Sequence, residues 1–530
     1  MDFTGRWSNV QLATGIVTVL MVAALGQGAT LEIRPLSLPP EFSTLGVASM
    51  HSDRRQMIVI AVEENGSCVV AILSETLSIL KLRAIPGAVR NACNFVGFDS
   101  AGNIVLTGFS SSSEFLFTDD LGPLPAAGSQ FLLKLSRASL ETLFSVRVRI
   151  PGPYAVAMAP DDTIWMGGFT RDGLITTPDA VQRVYPGSAI SIQDDRDSSG
   201  FLSRFSADGR KLLYSTYLGG LREGVATISI APNGDVYAAG IRVWKFSGSG
   251  QLIWSTWLSP SSAFGSAIGP QGDLYIAGTT GGPEFYTTPS AFQPVALAGQ
   301  TPLFVGSLPG YPRAALDGFV ARFSSDGDLV YSTLMGGISY DILHQVLVDA
   351  DGSAWVRGYS DRALFPTRGA IAMRLASGSV LAKLAPDGSK VAFSTYLEEG
   401  AILLVAHPEG GLWMRTYTPA ERFGLRRVTE LPDSLPRIDA VIRTAQPASS
   451  LLAGTNATIS GEGFSVVTGA TVGDVPARIV SQSECLLEIE IPGDLPGLTP
   501  QAIFTGDLRL LRDSQVLQQI RVQVFAPFLP

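Results

Sequence analysis

Residues 201–220 read FLSRFSADGRKLLYSTYLGG. This stretch holds an apolar strand with one cation (Phe201 to Arg204), a turn at Asp208-Gly209, and a second strand at Tyr214-Ser215-Thr216-Tyr217 that runs into Leu218-Gly219-Gly220. Asp-Gly suits a tight hairpin because both central positions tolerate positive φ. The pattern recurs. Phe319 to Arg322 is followed by Asp326-Gly327 and Tyr331-Ser332-Thr333, and Val380 to Lys383 by Asp387-Gly388 and Phe393-Ser394-Thr395. Val243 to Lys245 is followed by Ser249-Gly250 and Trp254-Ser255-Thr256, and Phe144-Ser145-Val146 is a degraded copy.

A second anchor precedes each of these: a Gly turn, a short apolar run and a closing Gly. It spans Gly102 to Gly108, Gly234 to Gly240, Gly272 to Gly278 and Gly352 to Gly358, with variants at Asp162 to Gly167 and Gly410 to Thr416. Each unit therefore reads as four short antiparallel strands, the composition of a propeller blade. In the fourth unit they are expected at Ala226 to Ile230, Asp235 to Ala239, Arg242 to Phe246 and Leu252 to Leu258. Second strands begin near Met57, Asn103, Thr163, Asp235, Asp273, Ser353 and Gly411, which makes seven units. Six or eight also fit, because the end units match poorly. The last unit has no evident fourth strand before Pro432, and Thr30 to Leu36 can supply it, closing a ring and removing two exposed edges.

Four units carry insertions between their second and third strands: Gly108 to Phe131, Gly168 to Phe201, Gly278 to Phe319 and Gly358 to Val380. Strand alternation puts all four on one face. Trp165, Tyr237, Tyr275, Trp355 and Trp413 share one register of the second strand, which argues for packing between blades.

Composition agrees with a folded, turn-rich chain. Of 530 residues, 46% are hydrophobic and 16% charged, which excludes a disordered charged chain. A net charge of −9 leaves no basic excess for phosphates, so no nucleic-acid partner is expected. Leu12 to Leu25 is uncharged, Arg6 precedes it and Gly26-Gln27-Gly28-Ala29 follows it. This reads as a signal peptide over 1–28 with cleavage at Gly28 or Ala29; an uncleaved anchor is the other reading. No later segment reaches the ~20 apolar residues of a membrane span. Cys68 and Cys93 pair if the chain is exported, or are small buried apolar side chains; Cys485 is the third cysteine.

The Tyr214-to-Gly220 stretch, with the loop Phe285-Tyr286-Thr287-Thr288-Pro289-Ser290-Ala291-Phe292-Gln293, resembles the bacterial SBBP-type β-propeller repeat proteins. Weaker copies of the loop lie at Thr176 to Gln182 and Phe365 to Ala370. The resemblance implies a propeller over 30–432 and export, and no established activity. Beyond Leu431-Pro432-Asp433-Ser434-Leu435-Pro436 the character changes. Ile459-Ser460-Gly461-Glu462-Gly463-Phe464 and Val472-Gly473-Asp474-Val475-Pro476-Ala477 resemble the IPT/TIG type of immunoglobulin-like domain. That implies a β-sandwich over 436–530, with Leu486, Ile489 and Ile491 among its alternating core positions, and a spacer or interaction role.

His51, His344 and His407 have no metal-ligating spacing, and no cofactor is expected. Asp195, Asp197 and Ser199 occupy alternate positions as at the opening of a calcium loop, but Ser206 stands where a bidentate Glu belongs. A solvated polar loop is the competing reading. The insertion-face aromatics Tyr185, Phe285, Tyr286, Phe292 and Phe365 are the binding candidates, unless these recurring loops simply cap the blades. The fold class expected is all-β, a seven-bladed β-propeller followed by an immunoglobulin-like β-sandwich. The function expected is that of a monomeric, non-enzymatic scaffold that is secreted, periplasmic or at the cell surface, recognising a protein or polysaccharide there. A carbohydrate- or polymer-binding module and a propeller hydrolase or lyase are the alternatives.

Overall fold

The computed structural model describes residues 30–36, 46–52, 57–62, 68–74, 77–85, 93–110, 117–120, 129–148, 153–187, 198–258, 261–281, 285–295, 316–337, 340–360, 365, 378–397, 399–406, 411–417, 424–431, 441–446, 450–462, 464, 467–482, 486–499 and 504–525. The signal segment with Gly28 and Ala29, and also Asp195, Asp197, His407 and Cys485, lie outside the described residues. Among the described residues the chain is all-β, without a helix.

Seven sheets precede residue 432 among the described residues. The first six span 46–85, 93–148, 153–218, 227–257, 261–335 and 341–396, each with its antiparallel strands in sequence order. The seventh holds Gly400–Ala406, Leu412–Tyr417 and Gly424–Leu431, and its fourth strand is Thr30–Leu36. Thr30 lies opposite Leu431 and Leu36 opposite Leu425. The fourth sheet, with strands Thr227–Ile230, Val236–Ala239, Arg242–Phe246 and Leu252–Trp257, matches the sequence expectation to within a residue. The first strand of each sheet lies against the first strand of the next, and Gly400–Ala406 lies against Gly46–Ser52. Such repeated four-stranded sheets are consistent with a propeller-like fold.

The cores are shared between neighbouring sheets. Tyr237 and Val243 of the fourth sheet pack with Ile276 and Phe319 of the fifth. The second-strand aromatics Trp165, Tyr237, Tyr275, Trp355 and Trp413 are all buried. Each faces the third-strand cation directly across the ladder: Arg204, Lys245, Arg322, Lys383 and Arg427. Those cations sit 5.1–5.7 Å from the ring centroids, within reach of the ring quadrupole. In the third to sixth sheets the same cation pairs with a carboxylate from the turn between the first two strands. Arg204 reaches Asp161 at 2.6 Å, Lys245 reaches Asp235 at 2.9 Å and Lys383 reaches Asp349 at 2.8 Å, and Arg322 contacts Asp273. A charge in a sheet interior needs such a partner.

Two devices join consecutive sheets. The Lys245 ammonium donates to the Ser325 carbonyl of the next sheet at 2.9 Å, and the Arg322 guanidinium to the Pro386 carbonyl at 2.9 Å. In addition, the fourth-strand aromatic of one sheet sits on the turn glycine of the next. Phe144 lies on Gly209, Tyr214 on Gly250, Trp254 on Gly327 and Tyr331 on Gly388. All four glycines have φ between +69° and +97°, where an L side chain is strained. The aromatic of the Ser-Thr motif and the Gly of the hairpin motif are thus two halves of one contact.

Cys68, in the third strand of the first sheet, is disulfide-bonded to Cys93 in the first strand of the second sheet, with Cα atoms 6.1 Å apart. Both are buried.

The C-terminal strands form an eight-stranded sheet in the order 441–446, 456–462, 486–490, 475–482, 469–472, 504–512, 515–525, 450–452. It wraps a core of its own that includes Phe464, Val472, Leu487, Ile489, Ile491, Leu508 and Val524. The inward set of the 486–491 stretch is Leu487, Ile489 and Ile491, the period of two a strand imposes. Ile489 and Ile491 are as expected; the Leu486 side chain lies outside the described residues.

Candidate functional site

The insertions of the third and fifth sheets are built alike, on the outer edge of the strand that carries the Ser-Thr motif. In the third sheet, Thr177-Pro178-Asp179-Ala180 turns, with the Ala180 amide donating to the Thr177 carbonyl at 3.1 Å. Proline at the second turn position presets φ for this geometry. Thr177 then clamps Ser215 in both directions. Its amide donates to the Ser215 carbonyl at 3.0 Å, and the Ser215 amide donates to its hydroxyl at 3.1 Å. Gln182 closes the other end: its amide donates to the Thr216 hydroxyl at 2.9 Å, and its carbonyl accepts from the Tyr217 amide at 3.0 Å.

The fifth sheet repeats all four bonds. The Thr288 amide reaches the Ser332 carbonyl at 3.1 Å, and the Ser332 amide reaches the Thr288 hydroxyl at 3.3 Å. The Gln293 amide reaches the Thr333 hydroxyl at 2.9 Å, and the Leu334 amide reaches the Gln293 carbonyl at 3.1 Å. In the second sheet Thr118 makes the first half of the clamp with Ser145, and Asp119–Asp120 adds a short parallel strand beyond Thr142–Val148. In the sixth, the Phe365 amide donates to the Tyr396 hydroxyl at 2.7 Å. These insertions therefore occupy backbone groups that an edge strand would leave open. Ser215, Thr216, Ser332 and Thr333 are buried beneath them.

This geometry divides the five aromatic candidates. Phe292 and Phe365 are buried in the core of the fifth and sixth sheets, so they anchor their loops and offer no ring to a ligand. Their place in the binding set is corrected accordingly. Tyr185 is half-buried against Tyr217, centroids 5.7 Å apart, and Phe285 is half-buried against Phe319 at 4.9 Å. Tyr286 is 67% exposed. Ser199 is buried, and its hydroxyl donates to the Leu218 carbonyl at 3.2 Å. No group of three or more His, Cys, Asp or Glu side chains is gathered as for a metal among the described residues.

Of the residues that flank the clamp, the sequence reading named Tyr286 and missed Ile175, Val184 and Val295. Two positions before the clamping Thr stand Ile175 and Tyr286, and two after the Gln stand Val184 and Val295. They are 51%, 67%, 76% and 49% exposed. Each clamped loop thus presents an outward apolar residue at the same two places. The signal was available in the spacing from Thr and Gln, once those two are known to fix the loop.

On the first strand of the sixth sheet, His344 keeps contact with solvent and lies 6.0 Å from the Phe264 ring of the fifth. Surrounding protein and the nearby Arg357 guanidinium push its pKa down to about 4. Arg357 hydrogen-bonds the Ala401 carbonyl at 3.1 Å, and burial pushes its own pKa down to about 10.

The IPT/TIG domain family matches residues 440–519, and this segment is an IPT/TIG domain. No curated protein matches the chain. Among solved structures it is similar to hydrazine synthase of Kuenenia stuttgartiensis, at 9% identity over 73% of this chain and 96% of that one, with a TM-score of 0.43. A similarity at that score carries no argument here.

Proposed function

We propose that the chain is an exported, non-enzymatic interaction scaffold. In this reading a seven-bladed propeller of SBBP-type repeats, closed by Thr30–Leu36, holds a rim of clamped loops, and the IPT/TIG domain acts as spacer or second contact. The carrying observation is the recurrence of outward apolar residues on loops whose backbones are fixed: Ile175 and Val184 on one, Tyr286 and Val295 on the other. Rigid presentation of exposed apolar groups lowers the ordering cost of binding. The circuit of first-strand contacts and the pairing of Thr30–Leu36 with Gly424–Leu431 support the closed ring. Export is supported by the uncharged run before Gly28 and by the Cys68–Cys93 disulfide, a bond that persists in oxidising compartments.

A protein partner is favoured over a polysaccharide. Sugar stacking needs several exposed aromatic faces, and Tyr286 is the one largely exposed ring of the five candidates. The test is crosslinking of the mature chain to surface proteins of its own cell, followed by the same experiment on a variant carrying Ile175→Asp, Val184→Asp, Tyr286→Asp and Val295→Asp. Loss of the crosslinked species is expected. The same species at the same yield would refute the rim. An exported chain that still begins at Met1 would refute cleavage.

A further inference from the structure

The fourth sheet keeps one half of the clamp and lacks the other. Its outer strand, Leu252–Trp257, carries Trp254-Ser255-Thr256-Trp257 in the register of Tyr214-Ser215-Thr216-Tyr217. Trp254 lies opposite Lys245 as Tyr214 lies opposite Arg204. Yet only Gly240 and Ile241 separate its second and third strands, so no insertion reaches over the edge. Ser255 is exposed, Thr256 is half-buried and Trp257 is 54% exposed, whereas Ser215, Thr216 and Tyr217 are buried. Among the described residues nothing outside the sheet bonds the Ser255 carbonyl, the Thr256 hydroxyl or the Trp257 amide.

Open edges are normally guarded by charge, proline or a cover. The first sheet shows such a guard: its outer strand, Ile79–Ile85, whose outer edge no described strand pairs, carries Lys81 and Arg83. Leu252–Trp257 carries neither charge nor proline. Both cations on the neighbouring strand are neutralised: Arg242, 3.8 Å over the Trp257 ring, by Glu223 at 3.3 Å, and Lys245, opposite Trp254, by Asp235 at 2.9 Å. The edge is therefore uncharged, and its complement is an uncharged strand. A six-residue edge spans about 20 Å. That suits a short linear segment, and six residues fall short of the roughly 20–30 a side that a stable folded interface engages.

We propose that the Leu252–Trp257 edge binds, in trans, a neutral extended segment of a partner protein whose Ser or Thr clamps Ser255 as Thr177 clamps Ser215. The inference is independent of the rim described above, which lies on other sheets. The probe is a synthetic peptide with this chain's own clamp sequence, residues 285–295, added to the full mature chain while amide exchange is followed. The amides of Ser255 and Trp257, equivalent to the outward amides of Ser215 and Tyr217, are expected to slow. Ser255→Pro removes an outward amide that the sheet ladder does not use, and Thr256→Val removes the hydroxyl acceptor at constant shape. Each is expected to weaken the peptide about tenfold, the worth of one lost bond, with an unchanged melting temperature. Exchange at 252–257 that is unaltered at saturating peptide overturns the proposal. So does equal affinity in both variants. Exchange that is slow without peptide and speeds up on dilution assigns the edge to a second copy, and likewise overturns it.

Discussion

Gly250→Ala tests whether the hairpin glycines act as seats for the rings of the preceding sheet or only as turn residues. Gly250 has φ +97°, and an L residue held there costs about 1–2 kcal/mol. A Cβ on it would stand 2.6 Å from Tyr214 Cδ2. Tyr214 cannot step aside freely, because Trp165 and Phe246 hold its ring with centroids at 6.0 and 6.4 Å. Overpacking of this kind costs about 1–3 kcal/mol, so the substitution should cost about 2–5 kcal/mol in all. Gly234 supplies the control. Its φ is +89°, and a Cβ there meets nothing within 4 Å, so Gly234→Ala should cost the backbone share alone, about 1–2 kcal/mol. Urea unfolding followed by far-ultraviolet circular dichroism measures both. The variants should differ by the packing share, and adding Tyr214→Leu should recover part of the Gly250→Ala loss, a coupling expected of groups in contact. Equal losses in the two alanine variants, with no recovery, would refute the seat.

Two further outcomes follow from other parts of the molecule. The Cys68–Cys93 bond closes a sequence separation of 25 residues, so replacing both cysteines by Ala should cost about 3 kcal/mol. Reductant should lower the unfolding midpoint of the natural chain and leave that variant unmoved; an equal response would show that the bond does not form. His344, with its pKa pushed down to about 4 from 6.5, binds fewer protons folded than unfolded between those values. Stability should therefore fall as pH drops from 6.5 toward 4 and level off below. His344→Gln should remove that slope, and an imidazole titrating near 6.5 by nuclear magnetic resonance would contradict the assignment.

The repeat was legible because its signals are local. Asp208-Gly209 and Asp387-Gly388 mark hairpins by backbone chemistry alone, and Arg242 to Phe246 was bounded to the residue. What stayed hidden depends on residues far apart in sequence. The Ser-Thr pair at 215–216 reads as an ordinary strand until Thr177 and Gln182, more than thirty residues earlier, close on it. Ala291-Phe292-Gln293 looked like an aromatic display, yet Phe292 is buried and Gln293 carries the clamp. Three cysteines, an odd number, left the Cys68–Cys93 pairing as one of two readings. The open edge of the fourth sheet could be read in advance only as a missing insertion, a signal without meaning until the other insertions proved to be covers.

The ring-on-glycine contact has a consequence for how such a chain can grow. Neither half of the contact belongs to one repeat: Tyr214 comes from one and Gly250 from its successor. The third, fourth and fifth sheets therefore each carry both a key, the fourth-strand ring, and a keyhole, the glycine of the same hairpin. When a gene segment encoding one repeat is copied in tandem, the new junctions meet key to keyhole without any compensating change. Lineages can gain or lose repeats at this level of fit, while the loops on the opposite face drift under selection of their own.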